Sequence, residues 1–461
     1  MERDREHWSS QVGFILAAAG SAIGLGNLWK FPYITWHNNG GAFVLVYLVC
    51  IVVVGLPIMM AEILIGRKTG RSAVGAMRAA VGRNWAWVGG LGCISGFVIL
   101  GYYAVVAGWT IRYFFKCLSW SFGGYEPGTS SGAAFGEFVS TGWMQILLAA
   151  IFMGFTMSII YAGVSRGIER ISRQLMPILF GILVLLLFSA LTMEGAADAL
   201  RFIFVPRIGE LPMRGVLEAL GHAFFTLSLG MGTMMVYGSY LRRGQSIVTS
   251  SIAVVALDTL IAITATVIMF SVIFSKAGMQ EQIGKSTAGM LFITLPELFY
   301  TVVPIGGLLA PLFYVLVGFA ALTSTISLME VPVSYFIDEK GWTRKKATSF
   351  CGAVCFALSI LCGLSLGADS ALSGIEIFAG KQGVFATLDH LASNWMLPVG
   401  GFFITLAAGW AMTSNATREQ LMDETTPKWF RYGAWRFFIR YVSPVAVATI
   451  IVAVISGMDF S

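Results

Sequence analysis

The chain has 461 residues, 57% of them hydrophobic and only 12% charged, with a formal net charge of +6 and a mean hydropathy of +0.78. A soluble domain of ordinary composition carries about 25% charged residues, so a soluble fold is excluded. The basic residues are spread over many loops rather than gathered on one face, which excludes a nucleic-acid-binding domain.

Apolar stretches long enough to cross a hydrocarbon core of roughly 30 Å recur along the whole chain. They centre on residues 12–36, 42–66, 87–115, 142–161, 167–193, 216–238, 246–274, 305–336, 346–366, 385–411 and 433–456. The ten-residue alternating strands of a closed barrel are missing. This predicts an all-α membrane protein with about 11 transmembrane helices. The charged start, "MERDREHW", lacks a small-residue cleavage site, so no cleavable signal peptide is expected. Cysteines 50, 93, 117, 351, 355 and 362 lie in or near spans and read as packing residues, and the four histidines are too scattered for zinc.

The first span is interrupted by "GSAIGLGNLWKFP", residues 20–32, where Gly20, Gly24 and Gly26 stand beside Asn27. Each glycine costs a helix interior about 1 kcal/mol relative to alanine. The second span carries a lone acid, Glu62, and an intramembrane carboxylate reads as functional. Here it would hold broken backbone. The fifth contains Gly167 and Pro177, ten residues apart, which loosen a helix. The sixth, "GHAFFTLSLGMGTMMVYGSY" at 221–240, repeats the pattern of the first, with Gly230 and Gly232 beside Thr226 and Ser228. Such glycines also serve close helix packing. Two breaks at corresponding places instead point to a transporter of two inverted five-helix repeats with its site at the midplane. The repeats would cover about 10–193 and 216–411, with an extra helix at about 433–456, in one transporter domain, 1–461. In the eighth span Thr323, Ser324, Thr325 and Ser327 cluster; such hydroxyls bond back to the preceding turn or offer oxygens to a hard cation.

The basic loops alternate. Arg67, Lys68, Arg71, Arg78 and Arg83 follow the second span, Arg166, Arg170 and Arg173 flank the start of the fifth, Arg242 and Arg243 follow the sixth, and Lys340, Arg344, Lys345 and Lys346 follow the eighth. The 119–141 loop has no Lys or Arg, and 367–384 only Lys381. The positive-inside rule puts the N-terminus in the cytoplasm and, after eleven spans, the C-terminus outside. A plasma (inner) membrane of a prokaryote is the expected location.

With "REHW" at 5–8, "GSAIGLGNLWKFP" at 20–32, "NGGAF" at 39–43, "GYY" at 101–103, "FFTLSLGMG" at 224–232, "ALTSTISLME" at 321–330 and "TLDH" at 387–390, the chain resembles the neurotransmitter:sodium symporter family over nearly its full length. It looks closest to the bacterial eleven-span branch that carries hydrophobic amino acids. The resemblance implies two sodium sites. One uses Ala22, Asn27, Thr226 and Asp258, completed by the substrate carboxylate; the other uses Gly20, Ile23, Ala320, Thr323 and Ser324. It further implies that the substrate carboxylate meets the N–H groups of Leu25 and Gly26 and the hydroxyl of Tyr103. The amine faces the region of Ala22, Phe225, Thr226 and Ser228. The side-chain pocket is lined by Ser21, Ile99, Tyr103, Phe225, Met231, Ser327 and Leu328, with Ser324 adjacent. Two gates are implied: Lys30 with Asp389 outside, above a lid of Tyr103 and Phe225, and Arg5 with Asp338 inside, near Trp8, Ser239 and Tyr240.

Three departures from the family pattern carry inferences. Monoamine carriers place an aspartate where this chain has Gly24, so the carboxylate must belong to the substrate and an amino acid is expected. Met231 stands where some relatives have phenylalanine, and a flexible thioether suits a range from aliphatic to aromatic. His222 and Ala262 replace a glutamine and a serine of the chloride site, while Asp258 supplies a fixed negative charge, so chloride is not required. The implied function is sodium-coupled import of neutral hydrophobic L-amino acids by alternating access, without enzymatic chemistry. The expected partners are a small-molecule amino acid and the lipid bilayer. The sequence leaves substrate ranking, ion stoichiometry, proton antiport and oligomeric state open, and a substrate sensor of the same fold also remains.

Overall fold

Lipid offers no partner to a backbone N–H or C=O, and a helix satisfies both within one segment. The computed structural model describes residues 6–276 and 287–460; among these, helices carry the whole fold and the nearest approach to a sheet is a single bridge between Glu376 and Gln382. Among the described residues nine helices are long and apolar enough to span: Gly41–Thr69, Arg83–Gly123, Gly142–Tyr161, Val164–Leu191, Ile247–Phe274, Gly306–Lys340, Arg344–Leu364, Gly383–Ala411 and Tyr432–Ile455. The first span is the pair Gln11–Ala22 and Gly26–His37, bent by 52° at residues 23–25, which makes ten. The remaining expected span is split into Met213–Thr226 and Thr233–Ser239, neither of which is long enough alone. The two breaks therefore fall at the glycine-rich stretches.

Several short helices were not legible as such. Ala73–Ala80 follows the second span, Gly132–Ser140 lies in the 119–141 loop, Ala196–Phe204 precedes the sixth span, Leu295–Thr301 precedes the eighth and Ser414–Leu421 follows the tenth. All are short and lie between spans, where no long apolar run marks them.

The long Gly306–Lys340 helix packs along Arg83–Gly123, and Gln11–Ala22 lies against Ile247–Phe274, Gly306–Lys340 and the fifth span. Phe188, Val445, Phe155, Ile94 and Val52 remain exposed, as a lipid-facing belt requires. The second half of the sixth span, Thr233–Ser239, packs on Gly41–Thr69 at backbone contact. A Cβ at Gly66 would lie 1.9 Å from the Met235 carbonyl oxygen, and one at Gly238 would lie 2.5 Å from that of Ile63. Only glycine fits such an approach. Because the obstacle is backbone, Gly66→Ala cannot be absorbed by a rotamer change. We expect it to cost about 1–3 kcal/mol, as core overpacking does. Thermal unfolding of the purified protein in detergent reads this; an unchanged midpoint would contradict the contact.

Candidate functional site

At the first break Ile23 turns the backbone extended while its N–H still bonds the Ala19 carbonyl. The chain resumes helix at Gly26. Between them the N–H of Gly24 donates to Asn27 Oδ1 (3.0 Å) and that of Leu25 to the Tyr103 hydroxyl (3.1 Å). At the second break Ser228, Gly230 and Gly232 all take positive φ, 55°, 81° and 76°. Serine in the left-handed region is strained by about 1–2 kcal/mol. Its hydroxyl offsets this by donating to the Ser21 carbonyl (2.9 Å), tying one break to the other. The N–H of Gly230 donates to Glu62 Oε1 (2.7 Å), so the fully buried acid of the second span holds the broken backbone of the sixth.

The two breaks wall one cavity. Ser21, Ala22, Leu25, Gly26, Ile99, Tyr103, Phe225, Thr226, Ser228, Met231, Ser324, Ser327 and Leu328 all line it, together with Gly24 and Asn27. Every residue assigned to the substrate from the sequence is therefore brought together. Ser21 Oγ donates to Ser327 Oγ (2.7 Å), which fixes the polar side of an otherwise apolar wall. A Cβ at Gly24 would lie 2.8 Å from Ser324 Oγ and 3.0 Å from the Tyr103 hydroxyl, so a side chain there would have to displace one of these hydroxyls. Leu25, Gly26, Tyr103 and Phe225 also line a second, outer cavity with Trp29, Lys30, Trp109 and Asp389. These four residues form the partition between the two spaces.

Two groups of oxygens flank the cavity. In the first, Asp258 sits fully buried, with Asn27 Nδ2 2.8 Å from its Oδ1, Thr226 Oγ1 at 3.1 Å from the same oxygen, and the Tyr47 hydroxyl at 3.5 Å from Oδ2. A buried carboxylate needs a counter-charge, and the neighbours in reach are neutral. That donor set fits a hard monovalent cation. His222 is also buried, tilted against Phe31 and Tyr47 with ring centroids 5.4 and 5.7 Å away. In the second group Ser324 Oγ lies 3.3 Å from the Ile23 carbonyl and 3.2 Å from that of Ala320, and Thr323 Oγ1 lies 3.0 Å from the same Ala320 oxygen. A Cβ at Gly20 would touch Thr323 Cβ at 3.0 Å, so Gly20 allows the first and eighth spans to close on this group.

The Lys30–Asp389 gate differs from expectation. Among the described residues no ion pair joins Lys30 to Asp389. The Lys30 ammonium donates to the Phe460 carbonyl and lies 5.2 Å from the Phe225 ring centroid, while Asp389 accepts from Ser393 Oγ (3.2 Å). Lysine is a point charge on a flexible stem and lacks the fork that locks arginine onto a carboxylate, so a carbonyl in reach suffices. Arg5 lies outside the described residues. Its expected partner Asp338 accepts from the Ser72 N–H (2.6 Å). Trp8 is fully buried and bonds the Tyr237 carbonyl (2.9 Å), so the start of the chain is fastened to the inner half of the sixth span.

Sequence reasoning missed an inner cluster. Glu330, fully buried in the eighth span, receives Arg344 Nη1 at 2.9 Å, Arg344 Nη2 at 3.1 Å and the Tyr240 hydroxyl at 2.7 Å; Glu6 lies 3.4 Å from Arg344. Glu169 likewise accepts from Ser9 N (2.7 Å) and Ser9 Oγ (2.5 Å). Glu330 was findable by the test that singled out Glu62, an acid inside an apolar span. Removing one member of such a buried pair costs about 3–5 kcal/mol, whereas replacing both by apolar groups is often neutral. Arg344→Ala should therefore destabilise strongly, and Glu330→Met with Arg344→Met should recover most of the loss. Thermal melts of the three proteins decide it, and equal melts for the single and double variants would contradict the pairing.

The family model described as Sodium:neurotransmitter symporter family matches residues 5–125 and 136–460. The sodium-dependent transporter YhdH of Bacillus subtilis (strain 168) is 33% identical over 460 residues, covering 100% of each chain. The sodium-dependent transporter MJ1319 of Methanocaldococcus jannaschii is 29% identical over 462 residues, covering 97% of this chain and 90% of the other. The fold is similar to the crystal structure of MhsT in complex with L-phenylalanine, with a TM-score of 0.87 and 37% identity over 97% of this chain and 99% of that one.

Proposed function

We propose, since this chain belongs to the Sodium:neurotransmitter symporter family, that it imports neutral hydrophobic L-amino acids, aliphatic to aromatic, together with sodium. It is a multi-pass membrane transporter rather than an enzyme, and sodium is its coupling ion. The observation that carries the substrate assignment is Gly24. Glycine puts no carboxylate at that position, and Asp258, beside the cavity, is bonded to Asn27. The negative charge facing the first cation then comes from the substrate carboxylate as well as from Asp258. The bound L-phenylalanine of MhsT supports this reading.

In this mechanism the substrate carboxylate meets the N–H groups of Leu25 and Gly26 and the Tyr103 hydroxyl. Leu25 N already points at Tyr103. Sodium binds between the carboxylate and Ala22, Asn27, Thr226 and Asp258, and a second sodium between Gly20, Ile23, Ala320, Thr323 and Ser324. Each ion neutralises carbonyl ends exposed by a helix break. The apolar walls, with Met231 as the adaptable one, exclude charged side chains. Chloride is not required, because Asp258 supplies the anion and His222 fills the space beside Tyr47.

The repeats are assigned to about 10–193 and 216–411, with the extra helix at about 433–456. Spans 1, 2, 6 and 7 rock against 3, 4, 8 and 9. The basic loops face the cytoplasm of a plasma membrane, and the end of the Tyr432–Ile455 helix faces outside. In proteoliposomes an inward sodium gradient should drive accumulation of L-phenylalanine and L-leucine but not of glutamate, and Asn27→Ala should abolish it. Replacing chloride by gluconate should change nothing. Equal uptake in potassium would overturn the coupling, and strong stimulation by chloride would overturn the role given to Asp258.

A further inference from the structure

The segment after the last span is built into the outer face. The Tyr432–Ile455 helix ends in a tight reversal: Gly457 takes φ 93°, its N–H bonds the Val454 carbonyl, and the Met458 N–H bonds that of Ala453 (2.9 Å). Those are the two bonds of a glycine-terminated helix cap. They turn the chain off the helix axis and lay Asp459 and Phe460 across the outer ends of three other spans.

The receiving site is polar and buried. Asn394, with no exposed surface in the Gly383–Ala411 helix, donates its Nδ2 to Asp459 Oδ1 (2.8 Å) and accepts the Phe460 N–H on its Oδ1 (2.8 Å). His390 Nδ1 lies 3.3 Å from Asp459 Oδ1, and Lys381 pairs with the other carboxylate oxygen. On the opposite side the Phe460 carbonyl accepts from Lys30, and a Cβ at Gly221 would come within 3.2 Å of the Phe460 ring. Lys30 belongs to the outer half of the first span and Gly221 to the outer half of the sixth; Asn394 and His390 belong to the tenth. A buried amide loses the free energy of two hydrogen bonds if its partners leave, so the segment is held rather than resting on the surface.

We infer that Asp459 and Phe460 are a strap that closes the outer approach to the substrate cavity, joining Lys30 to the tenth span in place of a direct Lys30–Asp389 ion pair. Lys30 held by the strap lies over Phe225, one of the four residues partitioning the two cavities. Opening to the outside then requires Asp459 to leave Asn394 and His390 while Phe460 stays with Lys30 and Gly221. Asp459 and Phe460 are positioning residues: they act on the substrate path through Lys30 and touch no substrate.

The inference rests on the orientation and transport reading above, and the test separates the two. Phe385 lines the outer cavity and lies outside the strap. With Phe385→Cys as reporter, a membrane-impermeant maleimide is applied to intact cells in sodium and L-phenylalanine, and labelling above that of the protein without the reporter is timed. Asp459→Ala, and separately Asn394→Ala, should raise the labelling rate several-fold. Unchanged rates in both, with sodium-driven uptake intact, would overturn the strap and leave the symporter standing. Faster labelling without sodium-driven uptake would support the strap and overturn the transport reading. As a second arm, His390→Cys with Asp459→Cys can be oxidised to a disulfide that replaces the lost contact. Uptake should be lost on oxidation and restored by reductant, and full uptake in the cross-linked protein would overturn the strap.

Discussion

A backbone group left unpaired at the centre of a bilayer has no solvent to turn to, and the structure is organised around two places where that happens. Continuous helices would satisfy every such group and bind nothing. The first and sixth spans give up that saturation at residues 23–25 and 227–232. The freed groups are then met one by one: Gly24 N by Asn27, Leu25 N by Tyr103, Gly230 N by Glu62, and the Ser21 carbonyl by Ser228. Several of these partners are replaceable by a ligand. A carboxylate can take the place of a tyrosine hydroxyl at Leu25 N, and a cation can take the place of hydroxyl protons at the carbonyls. The site is thus a set of internal hydrogen bonds that a zwitterion and sodium can exchange for stronger, charge-assisted ones.

The same logic makes the helices around the site close at backbone distance. Gly66 and Gly238 let the second span ride on the inner half of the sixth, and Gly20 lets the first meet the eighth. Polar clusters mark the two ends of the bundle. At one, Trp8 and the Glu330–Arg344–Tyr240 group fasten the start of the chain and the end of the sixth span to the eighth and ninth. At the other, Lys30 and Asn394 share Phe460.

The sequence made the spans legible because twenty apolar residues between charged loops leave little choice. It made the breaks legible because glycine and asparagine in such a run need a reason, and the motifs around them resemble one family. The thirteen residues that the resemblance assigns to the substrate converge on one cavity for that reason. The Lys30–Asp389 gate was less legible. A lysine at position 30 says that a cation faces outward but not which oxygen it finds, since three rotatable donors accept a carbonyl as readily as a carboxylate. Glu330 was overlooked because its partner Arg344 lies fourteen residues away, in a loop already read as part of the basic cytoplasmic pattern. Asp459 and Phe460 carry no motif, and their role depends on a reversal at Gly457 that only the three-dimensional path reveals.

The central claim is that the substrate carboxylate is itself a sodium ligand, which makes the two affinities reciprocal. The direct measurement is equilibrium binding of radioactive sodium to the purified protein, with L-phenylalanine or with phenethylamine, which keeps the ring and the amine but lacks the carboxylate. The account predicts that L-phenylalanine tightens the binding of one sodium and that phenethylamine does not. Equal tightening by both, or by neither while L-phenylalanine is bound, would contradict it.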